Sequence, residues 1–208
     1  MPLLAFDFGP PGSANSVYAP DQGASWNFGV AWLDPAGVPM AFPSGYAASM
    51  QIRPDHSSTS KPYESLSSGS DNTLQFDTLQ TGTVSSLAIG STALALASGA
   101  FDTTGADVGK AIYVPGAKFS TASGGTTDTT TIASVTDATH ATLTAAAGAT
   151  VSSGTISWGG RVRIVVPGNR TKGYNWGQGY YTLIVTDPSG NSTALMAGTV
   201  YVNPGATF

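Results

Sequence analysis

The chain has no cysteine, one glutamate, two histidines, and charged residues at only 10% of its positions. Each shortage closes off a class of reading. Without cysteine there is no disulfide and no thiolate metal site, in whatever redox compartment the protein works. His56 and His140 lie far apart in sequence, which speaks against a histidine-based metal site. The eight basic residues (Arg53, Lys61, Lys110, Lys118, Arg161, Arg163, Arg170, Lys172) never cluster densely, and the net charge is −4. Nucleic-acid binding by phosphate neutralisation is therefore not expected. No apolar run approaches the length of a membrane span, so no membrane insertion is expected. The opening MPLLAFDFGPPG lacks the basic start and long apolar core of a Sec signal. An amphipathic stretch of helical period is missing as well.

What the sequence does hold is glycine (26), proline (13) and an abundance of serine, threonine and alanine. That mixture suits short strands joined by many turns, with hydroxyls rather than charges facing water. At 208 residues and 41% hydrophobic, the chain can build one large β domain or two small ones, and is too apolar for a disordered segment.

The clearest single element is a hairpin over residues 179–204. On its first arm Tyr181, Leu183 and Val185 share one face, with Tyr180, Thr182 and Thr186 on the other. On its second arm Met196, Val200 and Val202 oppose Thr199, Tyr201 and Asn203. Period-two alternation rich in β-branched and aromatic residues marks a half-buried strand. Asp187-Pro188-Ser189-Gly190 supplies the turn, proline setting φ and glycine accepting its positive value. Such a hairpin needs a second sheet over its apolar face.

Candidate strands for that sheet come from both ends of the chain. Ser25–Phe28 and Gly29–Leu33 read as two strands, the second ending at Asp34-Pro35-Ala36-Gly37, the same kind of turn as at Asp187. Trp32 is the expected large aromatic at the centre of the core. Ala48–Arg53 turns Met50 and Ile52 one way. Residues 53–73 read as a polar loop, and Leu74–Asp77 as a short strand. Arg161–Pro167 turns Val162, Ile164 and Val166 inward. Between the two ends, from Thr81 to Ile156, composition shifts to alanine, glycine, serine and threonine, with no tryptophan and one tyrosine. Strand signals at 92–96 and 111–116, a turn at 103–110 and a hairpin of 131–135 with 141–144 make this a compact β module.

The expected organisation is all-β: an antiparallel sandwich made discontinuously from residues 1–80 and 158–208, with a small β domain inserted at 81–157. It requires the two ends to fold into a single body that contains both Trp32 and Leu183. Residues 1–15 read either as a first strand or as an arm, with Leu4, Phe6 and Phe8 able to pair with the sheet edge of a neighbouring subunit. Low charge together with exposed strand edges favours a homo-oligomer.

Two resemblances bear on function. Asp21–Trp26, Trp32–Pro39, Met50–Arg53, Gly179–Tyr181, Asp187–Gly190 and Gly198–Val202, taken in this order, resemble the immunoglobulin-like domain near the start of phage upper-baseplate and tail-fibre proteins. Coverage is roughly residues 15–80 and 158–208. Asp107–Lys110, Val114–Ala117, Thr131–Val135 and Ala141–Thr144 resemble small β modules of phage tail spikes and fibres. In those proteins the module precedes a β-helical enzyme; here it sits inside the first domain and no β-helix follows, so no hydrolase is expected. The resemblances imply an immunoglobulin-like fold and a non-enzymatic virion protein, made in the host cytoplasm and assembled with other virion proteins. A tail, baseplate or fibre-attachment role is preferred over a capsid decoration or head-fibre role. A carbohydrate-binding module for host-surface glycans is the reading from another class.

Candidate chemistry in the sequence is sparse. Asp55-His56-Ser57 are adjacent on a loop, whereas a triad needs geometry rather than neighbourhood. Glycoside hydrolysis needs a carboxyl pair, and Glu64, Asp34, Asp107 and Asp187 offer none with a reason to be buried. Asp102, Asp107 and Asp128 match no calcium loop, and no catalytic residue, metal or cofactor is expected. Tyr174, Trp176 and Tyr180 form an aromatic loop with two readings, a contact for a partner or glycan and a cap on the end of the core.

Overall fold

The structure is a computed structural model and describes residues 22–57, 59–121 and 124–202. Over these residues the chain is all-β apart from one helical turn. In chain order the strands are β1 (Trp26–Ala31), β2 (Ala47–Arg53), β3 (Glu64–Ser67), β4 (Leu74–Phe76) and β5 (Gln80–Ser86). There follow β6 (Ala93–Ser98), β7 (Ala111–Tyr113), β8 (Phe119–Ser120), β9 (Thr126–Thr127) and β10 (Thr129–Asp137). The last five are β11 (His140–Leu143), β12 (Thr155–Trp158), β13 (Arg161–Val166), β14 (Gln178–Thr186) and β15 (Ser192–Tyr201), with the helical turn α1 (Gly168–Thr171) between β13 and β14.

The chain divides into two compact units. Among the described residues, one comprises 22–28 with Pro43–Phe76 and 162–202; the other comprises Gly29–Phe42 and Asp77–Arg161.

The first unit holds a four-stranded sheet in the order β15-β14-β2-β3, and most of a three-stranded sheet in the order β1-β13-β4. The hairpin of β14 and β15 pairs as the alternation requires, with Gln178 opposite Tyr201 and Thr186 opposite Ser192. Tyr181, Leu183 and Val185 are buried, as are Met196, Val200 and Val202. Leu183 faces Met196 while Ile184 faces Ala194, so Leu195 is an extra residue in β15. This bulge lets consecutive Leu195 and Met196 both be buried. β14 also pairs with β2, setting Tyr181 against Ile52 and Leu183 against Met50.

The two ends of the chain are therefore joined in one unit. Shorter bonds repeat the join: the Thr171 hydroxyl donates to Ala24 O at 2.8 Å, and Gln22 Nε2 donates to Tyr174 O at 2.8 Å. Trp32 is not part of it. It lies in the other unit, half-buried against Phe42 with ring centroids 5.8 Å apart, while Leu183 lies in the first. The large aromatic of the first unit is Trp26. Residues 25–33 also hold one strand rather than two, β1, after which Leu33 makes only an isolated bridge to Pro39. The loop expected over residues 53–73 contains a strand, β3, whose Leu66 is buried and pairs with Met50.

The second unit is built on a closed six-stranded barrel, β10-β11-β6-β5-β12-β7, with β7 returning to β10. All six ladders are antiparallel. The compositional shift brackets this barrel closely, and the expected hairpin is present as β10 and β11, with Asp137 opposite His140 and Val135 opposite Ala141. Apolar side chains fill the interior, among them Leu94, Ile112, Ile132, Leu143 and Ile156. Closure leaves these six strands without a free edge. Gly29–Phe42, expected to belong with the first unit, joins this one. Its turn is held by the Thr129 hydroxyl, which donates to Gly37 O, and by the Trp32 N–H, which donates to Gly160 O at 3.4 Å.

The largest fully buried side chain of the barrel, Trp158, carries a polar atom that must be satisfied. Its Nε1–H donates to Asp107 Oδ2 at 3.0 Å, and Asp107 Oδ1 accepts from Lys110 Nζ at 2.8 Å. The Asp102 N–H adds a third bond at 2.8 Å. Asp107 is 2% exposed and Lys110 8%. The ring itself fits because of two glycines. A Cβ on Gly82 would lie 2.7 Å from Ser98 O and 3.2 Å from the indole, and Gly99 has φ +93° with its Cβ direction 2.9 Å from Gly82 Cα.

Removing one member of a buried ion pair leaves the other charged and uncompensated. Asp107→Ala is expected to lower stability by ~3–5 kcal/mol, and the double change Asp107→Leu with Lys110→Met to cost less than Asp107→Ala alone. Urea denaturation of the three proteins measures both.

Candidate functional site

Three groups of side chains in the first unit, and one in the second, are the places where chemistry could be concentrated.

The aromatic loop leads from α1 into β14. Tyr174 is 7% exposed and Trp176 8%. Tyr174 meets Trp26 edge-on at 5.4 Å, and Tyr63 stacks on Trp176 at 5.3 Å with the planes 3° apart. Gly179 permits the approach, since a Cβ there would lie 2.6 Å from Ile52 and 3.5 Å from the Trp176 ring. Burial places Tyr174 and Trp176 as a cap on the core of this unit. Tyr180, the third ring of the loop, is only half-buried and sits on a different surface. Among the described residues Trp26 Nε1 and Trp176 Nε1 have no hydrogen-bond partner.

Beside this cap lies a charged clamp that sequence reasoning missed. Arg170, from α1, reaches Glu64 Oε1 on β3 through Nη2 and Asp71 Oδ2 through Nη1 at 2.7 Å. Burial works to raise the Asp71 pKa, but the Arg170 guanidinium, the Thr73 hydroxyl at 2.8 Å and the Thr73 and Ser67 amides outweigh it. They hold Asp71 at about 2, against an ordinary 3.8. Glu64 is likewise lowered against the effect of burial, chiefly by Arg170, and Arg170 is raised by Glu64. Burial, then hydrogen bonding to the Glu64 carboxylate and its charge, raises the Tyr174 hydroxyl above its ordinary 10.0. A general acid for glycoside chemistry needs a raised carboxyl pKa. Both carboxyls here shift the opposite way, which makes the cluster a tie between β3, α1 and residue 71.

The third group is a concavity of about 590 Å3 on the outward face of β2, β14 and β15. Its floor includes Gln51, Thr182, Ala197 and Gly198, and its wall is the loop after β2 with Asp55, His56 and Ser57. His56 packs on Tyr180 with centroids 4.0 Å apart and planes at 41°. The Asp55 carboxylate turns to Ser57 N at 2.8 Å and to the Ser60 hydroxyl at 2.7 Å, not to His56. Adjacent in sequence, the three residues form no relay. Arg53 donates to Ser60 O and, at 2.6 Å, to Gln51 Oε1.

In the second unit, His140 is exposed and its Nδ1 lies 2.9 Å from Asp137 Oδ2. Asp137 is held at about 2, first by the Thr139 N–H and then by His140. Asp128 accepts from Gly116 N at 2.9 Å and Lys118 N at 3.1 Å, so its oxygens serve the backbone. Asp107, read from sequence as a turn residue, is instead the buried partner of Lys110 and Trp158. Among the described residues no group of three or more histidine, cysteine or acidic side chains could hold a metal ion. Leu4, Phe6 and Phe8, the expected assembly arm, and Asn203 lie outside the described residues.

Comparison with protein-family models, with curated proteins and with solved structures returned no match.

Two outcomes follow from the cap and the clamp. Trp176→Ala removes a buried ring and is expected to lower stability by ~3–5 kcal/mol, read as a fall in thermal midpoint. A carboxyl whose folded pKa is depressed contributes stability above its unfolded pKa and loses it as pH falls through the folded value. Asp71 therefore contributes above about pH 4, and its share is lost toward its folded value of about 2. Acid titration of the unfolding midpoint should fall less steeply over that window in Asp71→Asn than in the unaltered protein.

Proposed function

We propose that this chain is a structural protein of a bacteriophage virion, a tail, baseplate or fibre-attachment component acting by assembly with other virion proteins. One observation carries the reading. Most of the flanking segments that resemble an upper-baseplate and tail-fibre domain, Met50–Arg53, Gly179–Tyr181, Asp187–Gly190 and Gly198–Val202 among them, fall in one compact unit, whereas Trp32–Pro39 falls with the middle that resembles a tail-spike module in the other. Within the reading, the first unit is an immunoglobulin-like sandwich. Its support is the antiparallel set of four strands, β15-β14-β2-β3, accompanied by the three-stranded β1-β13-β4, with Val162, Ile164 and Val166 buried as for facing layers.

Assembly also suits the disposition of ionisable groups. The carboxylates of Glu64, Asp71, Asp107 and Asp137 are each engaged by cations, by backbone N–H groups or by both. Proton transfer at neutral pH needs a group poised to exchange, and depressed carboxyls such as Asp71 and Asp137 are poorly suited to that work.

Mass spectrometry and electron microscopy of purified particles of the encoding phage test the proposal. The expected result is a fixed, symmetry-related copy number at the tail, marked by a labelled antibody against the chain. Labelling on the head would replace the tail role with capsid decoration. Absence from washed particles would remove the virion reading altogether.

A further inference from the structure

We infer that the concavity on the outward face of β2, β14 and β15 is a binding site for a neutral glycan, with Tyr180, Gln51 and Arg53 as its principal contacts. This goes beyond the virion reading and does not depend on it.

Strand register brings the groups together. Tyr180 stands opposite Arg53 on β2, and in the next outward row Thr182 lies between Gln51 and Ala197. Thr182, Ala197 and Gly198 are short, so a flat ring can come close to the sheet beside the taller Tyr180. His56 packs against that tyrosine at 4.0 Å and limits where its ring can turn. Arg53 is fixed at two points, by Ser60 O and by Gln51 Oε1. The guanidinium and the amide thus present planar, forked donors next to an aromatic face.

Those groups match a sugar better than other ligands. A pyranose offers a C–H face for an aromatic ring and adjacent hydroxyls for forked donors and acceptors. Charge agrees: Arg53 is the one basic residue lining the concavity and Asp55 the one acidic residue, so neither sign dominates. A phosphate or polyanion would call for a surplus of cations. A protein partner would call for apolar anchors in a desolvated centre, whereas Ile184 is the one large aliphatic side chain in the lining. A volume of about 590 Å3 falls within the size of small-ligand sites.

The site differs from the one the aromatic loop suggested. Tyr174 and Trp176 are committed to the core cap, and only Tyr180 of the three reaches this face.

The test uses the full chain, labelled with 15N and titrated with neutral trisaccharides of glucose, galactose, mannose and N-acetylglucosamine. At least one should shift the amide signals of Gln51, Tyr180 and Thr182 while leaving Gly116 and Lys118 in the barrel unit unmoved. Tyr180→Ala and Gln51→Ala should each weaken that sugar about tenfold or more. Gln51 is exposed, so its variant should keep the parent thermal midpoint, and Arg53→Lys should weaken binding by losing the fork. The inference is overturned if no trisaccharide moves these signals, or if both alanine variants bind as tightly as the parent. It is equally overturned if these signals shift with protein concentration alone, which would make the face a contact between copies. Failure here would leave the particle experiment untouched, and the reverse holds too.

Discussion

Asp107 carries a full carboxylate into the interior of the barrel unit, and much of that unit is arranged around keeping it paired. Its three donors come from different places: the Lys110 ammonium three residues on, the Asp102 backbone five residues back, and the Trp158 indole fifty-one residues away. A buried charge left without such donors costs several kcal/mol, so the bonds fix where the turn between β6 and β7 meets the final barrel strand. The indole's position then dictates its neighbours. Phe101 packs 4.9 Å from it, and Gly82 and Gly99 are needed where any side chain would strike the ring or the adjoining backbone. One carboxylate thus links the choice of residues at four or more distant positions.

Elsewhere the same side chain does a different job, and this explains why acidic residues are nearly all aspartate. A short carboxylate reaches the backbone N–H groups two and four residues ahead, which the longer glutamate does poorly. Asp34 accepts from the N–H of Ala36 and Val38, and Asp187 from those of Ser189 and Asn191. Each turn also closes with glycine N–H donating to the aspartate carbonyl at 2.9 Å, and the glycines have φ of +84° and +88°. The two turns are the same device used twice, once in each unit. Asp55 and Asp137 bind their own following residues in a similar manner.

Features set by near neighbours were legible in the sequence for that reason. The paired D-P-x-G turns, the β14–β15 hairpin, the inward set on β13 and the β10–β11 hairpin all rest on patterns within a few residues. Longer-range choices were not. Trp32 sits in the more apolar run, between Ala31 and Leu33, and Trp26 between Ser25 and Asn27, yet it is Trp26 that enters the core of its unit while Trp32 goes with the barrel. β3 holds one large apolar residue, Leu66, among serines, too little alternation to separate it from loop. The Glu64–Arg170 contact spans 106 residues and the Asp107–Trp158 contact 51, distances at which spacing carries no signal. The aromatic loop was visible as a cluster, but its division into a buried pair and an outward Tyr180 follows from β14 alternation once the strand's start at Gln178 is known. An all-β chain was evident from composition; the closed barrel was not, because closure depends on β7 finding both β10 and β12.

That closure changes what the low charge means. Sheets usually guard free edges with charge, short strands or covering segments. The six barrel strands leave no edge to guard, so an alanine- and threonine-rich surface there carries no penalty of strand-to-strand association. In the first unit the four-residue β3 ends its sheet, and the Glu64–Arg170–Asp71 clamp stands at that strand. Short length and concentrated charge are two of the ordinary defences, placed where the barrel needs none. Bare edges are thus absent from the barrel strands and short and charged at β3. At the other end of that sheet stands the ten-residue β15, paired on one side to β14, so assembly as proposed has that edge and the side-chain faces of the sheet to use, and not the barrel strands.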